Sequence, residues 1–188
     1  KFYDHELTEK QAKLQRLRHD FRHLIVHLEE LVRAEDYEGV LRELRAVSGI
    51  SNQTAITPFC ENRTVNAVVS YQFAQAEKLG VNCTAKAFVP EKLAMTNAEL
   101  SMMLGNALEN CVKAAGPLGE GGYITFEAKP AKGYMLFEFA NNHRPNAYAK
   151  GRGVGLASIK HLCEQYDGRV EAHDENGEFK LTVFLLVL

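Results

Sequence analysis

Two adjacent residues near the start of the chain, His19 and Asp20, have side chains suited to nucleophilic phosphoryl transfer. A carboxylate that accepts a hydrogen bond from one imidazole nitrogen leaves the other nitrogen with its lone pair, which is a nucleophile. The leucine repeat around the pair places His19 on the outer face of its helix, where packing requires no histidine. The pair is a candidate phosphoacceptor site. An ordinary solvated histidine is the alternative interpretation of this stretch alone.

Histidines also recur at positions 19, 23 and 27, and this spacing raises the hypothesis of metal binding. Two histidines four residues apart on one helix face can hold zinc. The third would lie about 12 Å from the first by helical rise, too far to join the same ion. We therefore rank metal binding below phosphotransfer for this face.

The element that must position His19 is a long helix with an apolar seam. Its seam residues follow a heptad spacing: Leu14, Leu17, Phe21, Leu24, Leu28 and Leu31. A second helical pattern covers Tyr37–Val47, and the short connection Ala34–Asp36 predicts an antiparallel hairpin. A seam this narrow needs a partner, so we expect two hairpins to form a homodimeric four-helix bundle.

The rest of the chain predicts a separate α+β domain. We expect the dimerisation and histidine-phosphotransfer hairpin over residues 1–50, a turn-rich linker over 51–58 and the second domain over 59–188. Helices are predicted at 62–79, at 96–116 after the capping box Thr96-x-x-Glu99, and at 153–166. Strands are predicted at 81–89 and in two hairpins, 123–128 with 135–140 and 170–174 with 179–188. This order favours helices on one face of a mixed sheet.

Several motifs resemble one class of proteins. Residues 17–24 (LRHDFRHL) resemble the phosphoacceptor box of sensor histidine kinases of the accessory-gene-regulator-like, peptide quorum-sensing class. Residues 59–62 (FCEN) and 65–67 (VNA) resemble the first catalytic-domain helix of that class. Residues 104–114 (LGNALENCVKA) resemble the N box of the GHKL ATPase superfamily, and 151–156 (GRGVGL) resemble its glycine-rich lid box. The resemblance implies a Bergerat-type α/β sandwich that binds ATP and Mg²⁺.

The N-box resemblance assigns roles to three residues spaced i, i+4 and i+7 on one helix face, namely Asn106, Asn110 and Lys113. Mg²⁺ prefers oxygen ligands, so the amides of Asn110 and Asn106 would hold the ion without adding negative charge beside the triphosphate. Lys113 would offset phosphate charge. Without the other motifs, these residues would be interpreted as the polar face of an amphipathic helix.

The lid-box resemblance implies a phosphate-binding segment. Glycines lack β-carbons and let the backbone pass close to phosphates, and the helix that follows points its amides at them. Two cations add positive charge. The predicted nucleotide-binding residues of this segment are Lys150, Gly151, Arg152, Gly153, Gly155 and Leu156. A surface loop that leads into a helix is the alternative interpretation.

The chain departs from the family pattern at the adenine contact. The family commonly has an Asp-x-Gly motif whose carboxylate accepts a hydrogen bond from the adenine amino group, whereas the corresponding strand ends in Asn141 and Asn142. The carbonyl of Asn141 can accept the same bond without a charge. Only residues 143–150 separate this point from Gly151, which predicts a short lid.

Phosphotransfer is favoured over hydrolysis. Hydrolytic members of the superfamily usually carry a water-activating glutamate four residues before the Mg²⁺-binding asparagine, and that position is Asn106, which cannot act as a general base. We therefore predict ATP-dependent autophosphorylation of His19, with Asp20 orienting the ring, and transfer to an aspartate of a response-regulator receiver domain. The alternative is a phosphorelay shuttle or a pseudokinase scaffold without ATP-dependent activity.

Composition limits the possible binding partners and the cellular compartment of the chain. The net charge of −2 and the pI of about 6.4 argue against nucleic-acid binding. No apolar run reaches the roughly 18 residues that cross a bilayer. Four cysteines without a CxxC pair argue against structural zinc and favour an intracellular, reduced chain. The resemblance to sensor histidine kinases implies that this chain is the cytoplasmic part of a membrane-bound receptor whose sensor precedes Lys1.

Overall fold

A computed structural model of the chain describes residues 2–48, 56–144 and 154–186. The chain divides into two compact units, Lys1–Gln53 and Thr54–Leu188. The linker predicted at 51–58 falls partly outside the described residues. Within the described ranges, no helix is both long and apolar enough to cross a membrane.

The first unit is a helical hairpin. Helix α1 spans Phe2–Arg33, helix α2 spans Tyr37–Ser48, and the two helices contact each other. The turn between them is closed by Asp36, whose side-chain Oδ1 accepts a hydrogen bond of 2.9 Å from Gly39 N and whose carbonyl accepts one from Val40 N. The Asp36 side chain thereby satisfies the Gly39 amide, which the first turn of α2 cannot pair internally. The structure thus contains the predicted pair of helices with the predicted connection.

Apolar side chains of the hairpin remain largely uncovered. On α1, 58% of Leu14, 64% of Leu17 and 59% of Phe21 are exposed, and α2 adds Leu44 and Val47 at 45% and 61%. Exposure of this size on seam positions is unusual for a finished core, because burial of each large apolar side chain stabilises a fold by about 1.5–3 kcal/mol. The two helices alone do not bury their seam.

The second unit is an α+β domain with one mixed sheet, as predicted. Its helices are α3 (Arg63–Glu77), α4 (Asn97–Ala115) and α5 (Val154–Glu164), and a 3₁₀ turn follows α4 at Gly116–Gly121. Its strands are β1 (Asn82–Ala87), β2 (Tyr123–Ala131), β3 (Tyr134–Asn142), β4 (Arg169–Glu175) and β5 (Glu178–Leu186). The strand order is β1-β2-β3-β5-β4, with β1 parallel to β2 and every other pair antiparallel.

The core lies between the helices and one face of this sheet. Strand alternation sends every second side chain of β2 and β3 toward the helices, and Phe126 and Phe139 meet there with ring centroids 5.3 Å apart. The largest fully buried side chains of the helices are Val65, Val69, Leu100, Met103, Leu104, Leu108 and Ile159. Helix α4 supplies four of these seven, so it is the central helix of the layer.

A tight turn and a capping box determine where β4, β5 and α4 begin and end. The β4–β5 hairpin turns at Asn176 and Gly177, both with positive φ (55° and 80°), as a two-residue type I′ turn requires. At the start of α4, Thr96 and Glu99 form the predicted capping box. Tyr166, just after α5, donates to the same Glu99 carboxylate at 2.5 Å, so the end of α5 is fastened to the start of α4.

Two buried asparagines explain why the segment before α3 follows its path. Asn66 accepts hydrogen bonds from the amides of Phe59 and Cys60 and donates to the Cys60 carbonyl. Asn62 caps α3 through Val65 N and donates to the carbonyls of Pro90 and Glu91. Since an unpaired buried amide is costly, these residues fix the entry to the domain.

The capping box predicts an acid-sensitive contribution to stability. Hydrogen bonds from Thr96 and then from Tyr166 lower the pKa of Glu99 below 4.5. A depressed carboxyl pKa stabilises the fold above pH 4.5, and this contribution is lost as the pH falls through the lower folded-state pKa. Glu99→Gln should therefore melt earlier than wild type at pH 7, and the difference should shrink below pH 4.5.

Thermal melting of the two proteins across this pH range measures the effect. The exposed glutamate variant Glu91→Gln is the matched control and should melt like wild type at every pH. A difference between wild type and Glu99→Gln that stays constant down to low pH would contradict the assignment.

Candidate nucleotide and phosphoacceptor sites

The polar face of α4 carries the three predicted ligands. Asn106 and Asn110 are partly buried, and Lys113 is exposed. The opposite face of the same helix buries Leu104 and Leu108 in the core. Because that apolar face is fixed, the amides project from the remaining side of a rigid helix.

The first turn of α5 lies directly against this amide face. A β-carbon built on Gly155 would lie 2.9 Å from Nδ2 of Asn110, so only glycine fits at this position without moving the amide. Leu156, the next residue, packs against the core cluster. The structure thus brings the N-box residue Asn110 and the lid-box residue Gly155 together, although 44 positions separate them in the sequence.

The end of β3 holds a buried polar atom without a partner. The Asn141 side chain is fully buried, and its Oδ1 accepts no hydrogen bond from any atom of the described residues. Its Nδ2 donates to the carbonyl of Asn142 at 3.1 Å, so the amide presents only an acceptor. An unsatisfied buried acceptor costs about 1–3 kcal/mol. The exocyclic amino group of adenine would supply the missing donor, after displacing the atoms that now cover the oxygen.

The neighbouring Asn142 has a different role. Its Oδ1 accepts a hydrogen bond from Tyr123 N at 2.8 Å, and its Nδ2 donates to the carbonyl of Gly121 at 2.8 Å. These bonds join the end of β3 to the start of β2 and to the 3₁₀ turn that follows α4. No pattern in the sequence indicates these two hydrogen bonds of Asn142, because both partners are backbone atoms of distant residues.

Lys113 is already engaged by a carboxylate. Its Nζ lies 2.5 Å from Oε1 of Glu109, one helical turn earlier, and the two side chains are 68% and 53% exposed. Exposed pairs at this spacing contribute only about 0.3–0.5 kcal/mol. A phosphate can therefore replace Glu109 at little cost.

The chain is also anchored where it leaves β3. His143 is buried, with Nε2 3.0 Å from Asp174 Oδ1 and Nδ1 2.9 Å from the carbonyl of Arg144. Arg144 donates from Nη2 to the carbonyl of Pro117 at 2.6 Å. The predicted lid-box residues Lys150, Gly151, Arg152 and Gly153 lie outside the described residues.

A cavity of about 260 Å³ exists elsewhere in the domain. It is lined by Lys92–Met95, Met135, Tyr166 and Leu185–Leu186. Of these residues, Met135 lies at the start of β3 and Leu185–Leu186 at the end of β5, whereas Asn141 lies at the other end of β3. The cavity contains none of the predicted site residues, and its lining is mostly apolar. We therefore place the candidate nucleotide site at the amide face and not at this cavity.

In the first unit, His19 is open to solvent and has two polar neighbours. Its side chain is 69% exposed, and its Nδ1 lies 3.5 Å from Oδ1 of Asp20. Its Nε2 lies 3.1 Å from Nε2 of His23. The Asp20 contact matches the orientation expected from the sequence and leaves Nε2 directed away from the carboxylate.

Comparison with known families places the second unit. Residues 95–186 match the family described as "GHKL domain". No curated protein sequence gives a significant match. The matched range contains α4, Asn141 and the start of α5.

Solved structures give the same fold. The catalytic domain of histidine kinase ThkA, in a nucleotide-free form, superposes with a TM-score of 0.56 at 13% identity, covering 71% of this chain and 97% of that chain. Acinetobacter baumannii histidine kinase AdeS gives 0.55 at 10% identity, covering 90% and 98%. Full-length ShkA in complex with AMPPNP gives 0.53 at 20% identity, covering 73% and 33%. The second unit has the fold of histidine kinase catalytic domains.

The two asparagines at the end of β3 should respond differently to the same substitution. Asn141→Leu removes an unpaired acceptor together with one hydrogen bond to the Asn142 carbonyl, so it should change the free energy of unfolding little, while it weakens MgATP binding by about tenfold. Asn142→Leu leaves two backbone groups without partners and should lower the free energy of unfolding by about 1–3 kcal/mol.

Urea unfolding and calorimetric titration with MgATP measure the two effects on the whole chain. If Asn141→Leu lowered the free energy of unfolding as much as Asn142→Leu does, the Asn141 oxygen would have a hydrogen-bond partner within the protein. It would then not be available to a ligand.

Because Glu109 pairs with Lys113, removal of the Glu109 charge should raise the affinity for MgATP. Glu109→Gln frees Lys113 and removes a negative charge near the phosphates, so the Kd for MgATP should fall by about twofold, which corresponds to the small value of an exposed pair. Lys113→Gln should raise the same Kd. Weaker MgATP binding by Glu109→Gln in equilibrium titration would show that Glu109 itself takes part in the site.

Proposed function

We propose that this chain is the catalytic part of a sensor histidine kinase, which binds MgATP in its GHKL domain and transfers the γ-phosphoryl group to His19. The main support for a nucleotide site is the buried Oδ1 of Asn141 near the end of β3, which has no hydrogen-bond donor among the described residues. A site that lacks one hydrogen-bond donor in a buried position is suited to a ligand that brings one.

Different residues of the site would bind different parts of MgATP. Asn141 accepts a hydrogen bond from the adenine amino group. Asn110, with Asn106, offers the amide oxygens that Mg²⁺ prefers, and Lys113 exchanges Glu109 for phosphate. The backbone at Gly155 approaches the phosphates closely because it has no β-carbon. Mg²⁺, when bound, neutralises phosphate charge and thereby assists transfer.

The transfer step uses the two nitrogens of His19 differently. Asp20 accepts the hydrogen bond of Nδ1–H and holds the tautomer in which Nε2 carries a lone pair. That lone pair attacks the γ-phosphorus, the bond between phosphorus and the bridging oxygen breaks, and its electron pair leaves on ADP. Asp20 takes up the Nδ1 proton as the ring gains positive character.

The exposed seam of the hairpin supports the proposed assembly. Leu14, Leu17 and Phe21 on α1 and Leu44 and Val47 on α2 stay more than two fifths exposed in one chain. A second hairpin would cover them and complete a homodimeric four-helix bundle. His19 lies outside this seam, where a receiver domain of a response regulator would reach the phosphorylated ring. We place the chain in the accessory-gene-regulator-like class and in the cytoplasm on the resemblance of residues 17–24.

A shuttle or scaffold without ATP-dependent activity is the second candidate. Two features favour it: an amide replaces the usual carboxylate at Asn141, and that amide is covered in the unliganded chain. Titration with MgATP separates the two functions, since a shuttle would not bind near millimolar nucleotide.

The phosphoacceptor assignment predicts a labelling result. Incubation with γ-labelled MgATP should place acid-labile label on the wild type and none on His19→Ala, because no other side chain would present the nucleophile. The matched control is His27→Ala, two turns further along the same helix, which should label like wild type. Label that survives His19→Ala would contradict the assignment.

A further inference from the structure

We propose that His19 and His23 together form a binding site for a divalent transition-metal cation, and that the bound cation blocks phosphorylation of His19. The metal site stands on the geometry of the two rings alone. The blocking effect rests on the proposed phosphoacceptor function of His19.

The two Nε2 atoms lie close enough to each other to bind one ion. They lie 3.1 Å apart, with ring centroids separated by 4.3 Å and ring planes inclined by 54°. Metal–imidazole bonds of about 2.0–2.1 Å place two nitrogens about 2.9 Å apart at a right angle and about 3.4 Å apart at a tetrahedral angle. The observed separation falls between these values, so both nitrogens can ligate one ion without a change of helix geometry.

The backbone fixes this convergence and leaves room for water. Both residues lie on the exposed side of α1, one helical turn apart. Water would complete the coordination shell, since no group of three potential metal-binding side chains occurs among the described residues. Imidazole ligands suit Zn²⁺, Cu²⁺ and Ni²⁺, whereas Mg²⁺ prefers oxygen. Mg²⁺ supplied with ATP would therefore leave the histidine pair free.

Asp20 supports the ligand role of His19. Its Oδ1 lies 3.5 Å from Nδ1 of His19, on the side of the ring opposite His23. A carboxylate that accepts a hydrogen bond from the far nitrogen of a ligating histidine fixes the ring and raises its basicity. The same carboxylate thus prepares Nε2 of His19 both for a metal and for phosphorus.

Metal binding moves one proton of the histidine pair. In the metal-free pair, the 3.1 Å contact is a hydrogen bond, and since Asp20 holds the proton of His19 on Nδ1, the donor is Nε2–H of His23. On binding, that proton moves through solvent to Nδ1 of His23, and the aqua ion loses two waters. Both imidazoles stay neutral, and both Nε2 lone pairs become metal bonds. The lone pair that would attack ATP is then occupied.

The binding test uses Ni²⁺ alone and the whole chain. Calorimetric titration should show that His19→Gln and His23→Gln each weaken Ni²⁺ binding by at least about tenfold, as loss of two-point attachment implies. His27→Gln, the same change one turn beyond His23, should bind like wild type. The thiols of Cys83 and Cys111 compete little for Ni²⁺, because burial raises the pKa of each to about 12.

Two binding outcomes overturn the site. Equal affinity in wild type, His19→Gln and His23→Gln would show that Ni²⁺ binds elsewhere. Loss of binding in His27→Gln with retention in His19→Gln would place the ion between His23 and His27 instead. Neither result depends on whether the chain is a kinase.

The second arm measures autophosphorylation at fixed MgATP with increasing Ni²⁺, with each variant normalised to its own metal-free rate. Wild type should lose labelling over the concentration range in which Ni²⁺ binds, and His23→Gln should retain it at least tenfold further. Equal inhibition of both would place the Ni²⁺ effect at the nucleotide and overturn the blocking effect. Absence of labelling in metal-free wild type would instead overturn the proposed kinase function and leave the binding result standing.

Discussion

The packing of α4 against the sheet is the constraint on which the candidate nucleotide site depends. Leu100, Met103, Leu104 and Leu108 are fully buried against the strands, and this burial fixes the rotation of the helix about its axis. With one face fixed, the amides must project from the other. The start of α5 lies close to that face, since a β-carbon at position 155 would lie 2.9 Å from the amide nitrogen of Asn110. The fixed helix thus places the N-box residue Asn110 next to Gly155 of the lid box.

The end of β3 shows how strand alternation separates structure from binding. Successive side chains of a strand point to opposite faces. Asn142 therefore points outward, and the oxygen and nitrogen of its amide form hydrogen bonds with two backbone segments. Asn141 points toward the helices, where its oxygen has no donor. Two identical side chains at adjacent positions thus stabilise the fold in one case and keep an acceptor unpaired in the other.

Local patterns were enough to predict the elements but not the contacts between distant residues. The capping box at Thr96 and the turn at Asn176 and Gly177 involve neighbours in sequence, and the structure has both. The two hydrogen bonds of Asn142 and the approach of Gly155 to Asn110 join residues that no spacing relates. The heptad pattern placed His19 outside the seam, yet the convergence of its Nε2 on His23 depends on rotamers that periodicity does not determine. The burial of Asn141 likewise required the tertiary fold.

Thermal melting with two nucleotides shows whether the Asn141 oxygen accepts a hydrogen bond from the amino group of adenine. A ligand that binds only the folded chain raises its stability by RT ln(1 + [L]/Kd), about 2.7 kcal/mol at a hundredfold excess over Kd. We expect MgATP to raise the melting temperature clearly, whereas the Mg²⁺ complex of purine riboside triphosphate, which lacks the exocyclic amino group, should raise it much less at the same concentration. Equal shifts with the two nucleotides, or no shift with either, would show that Asn141 does not bind the adenine amino group.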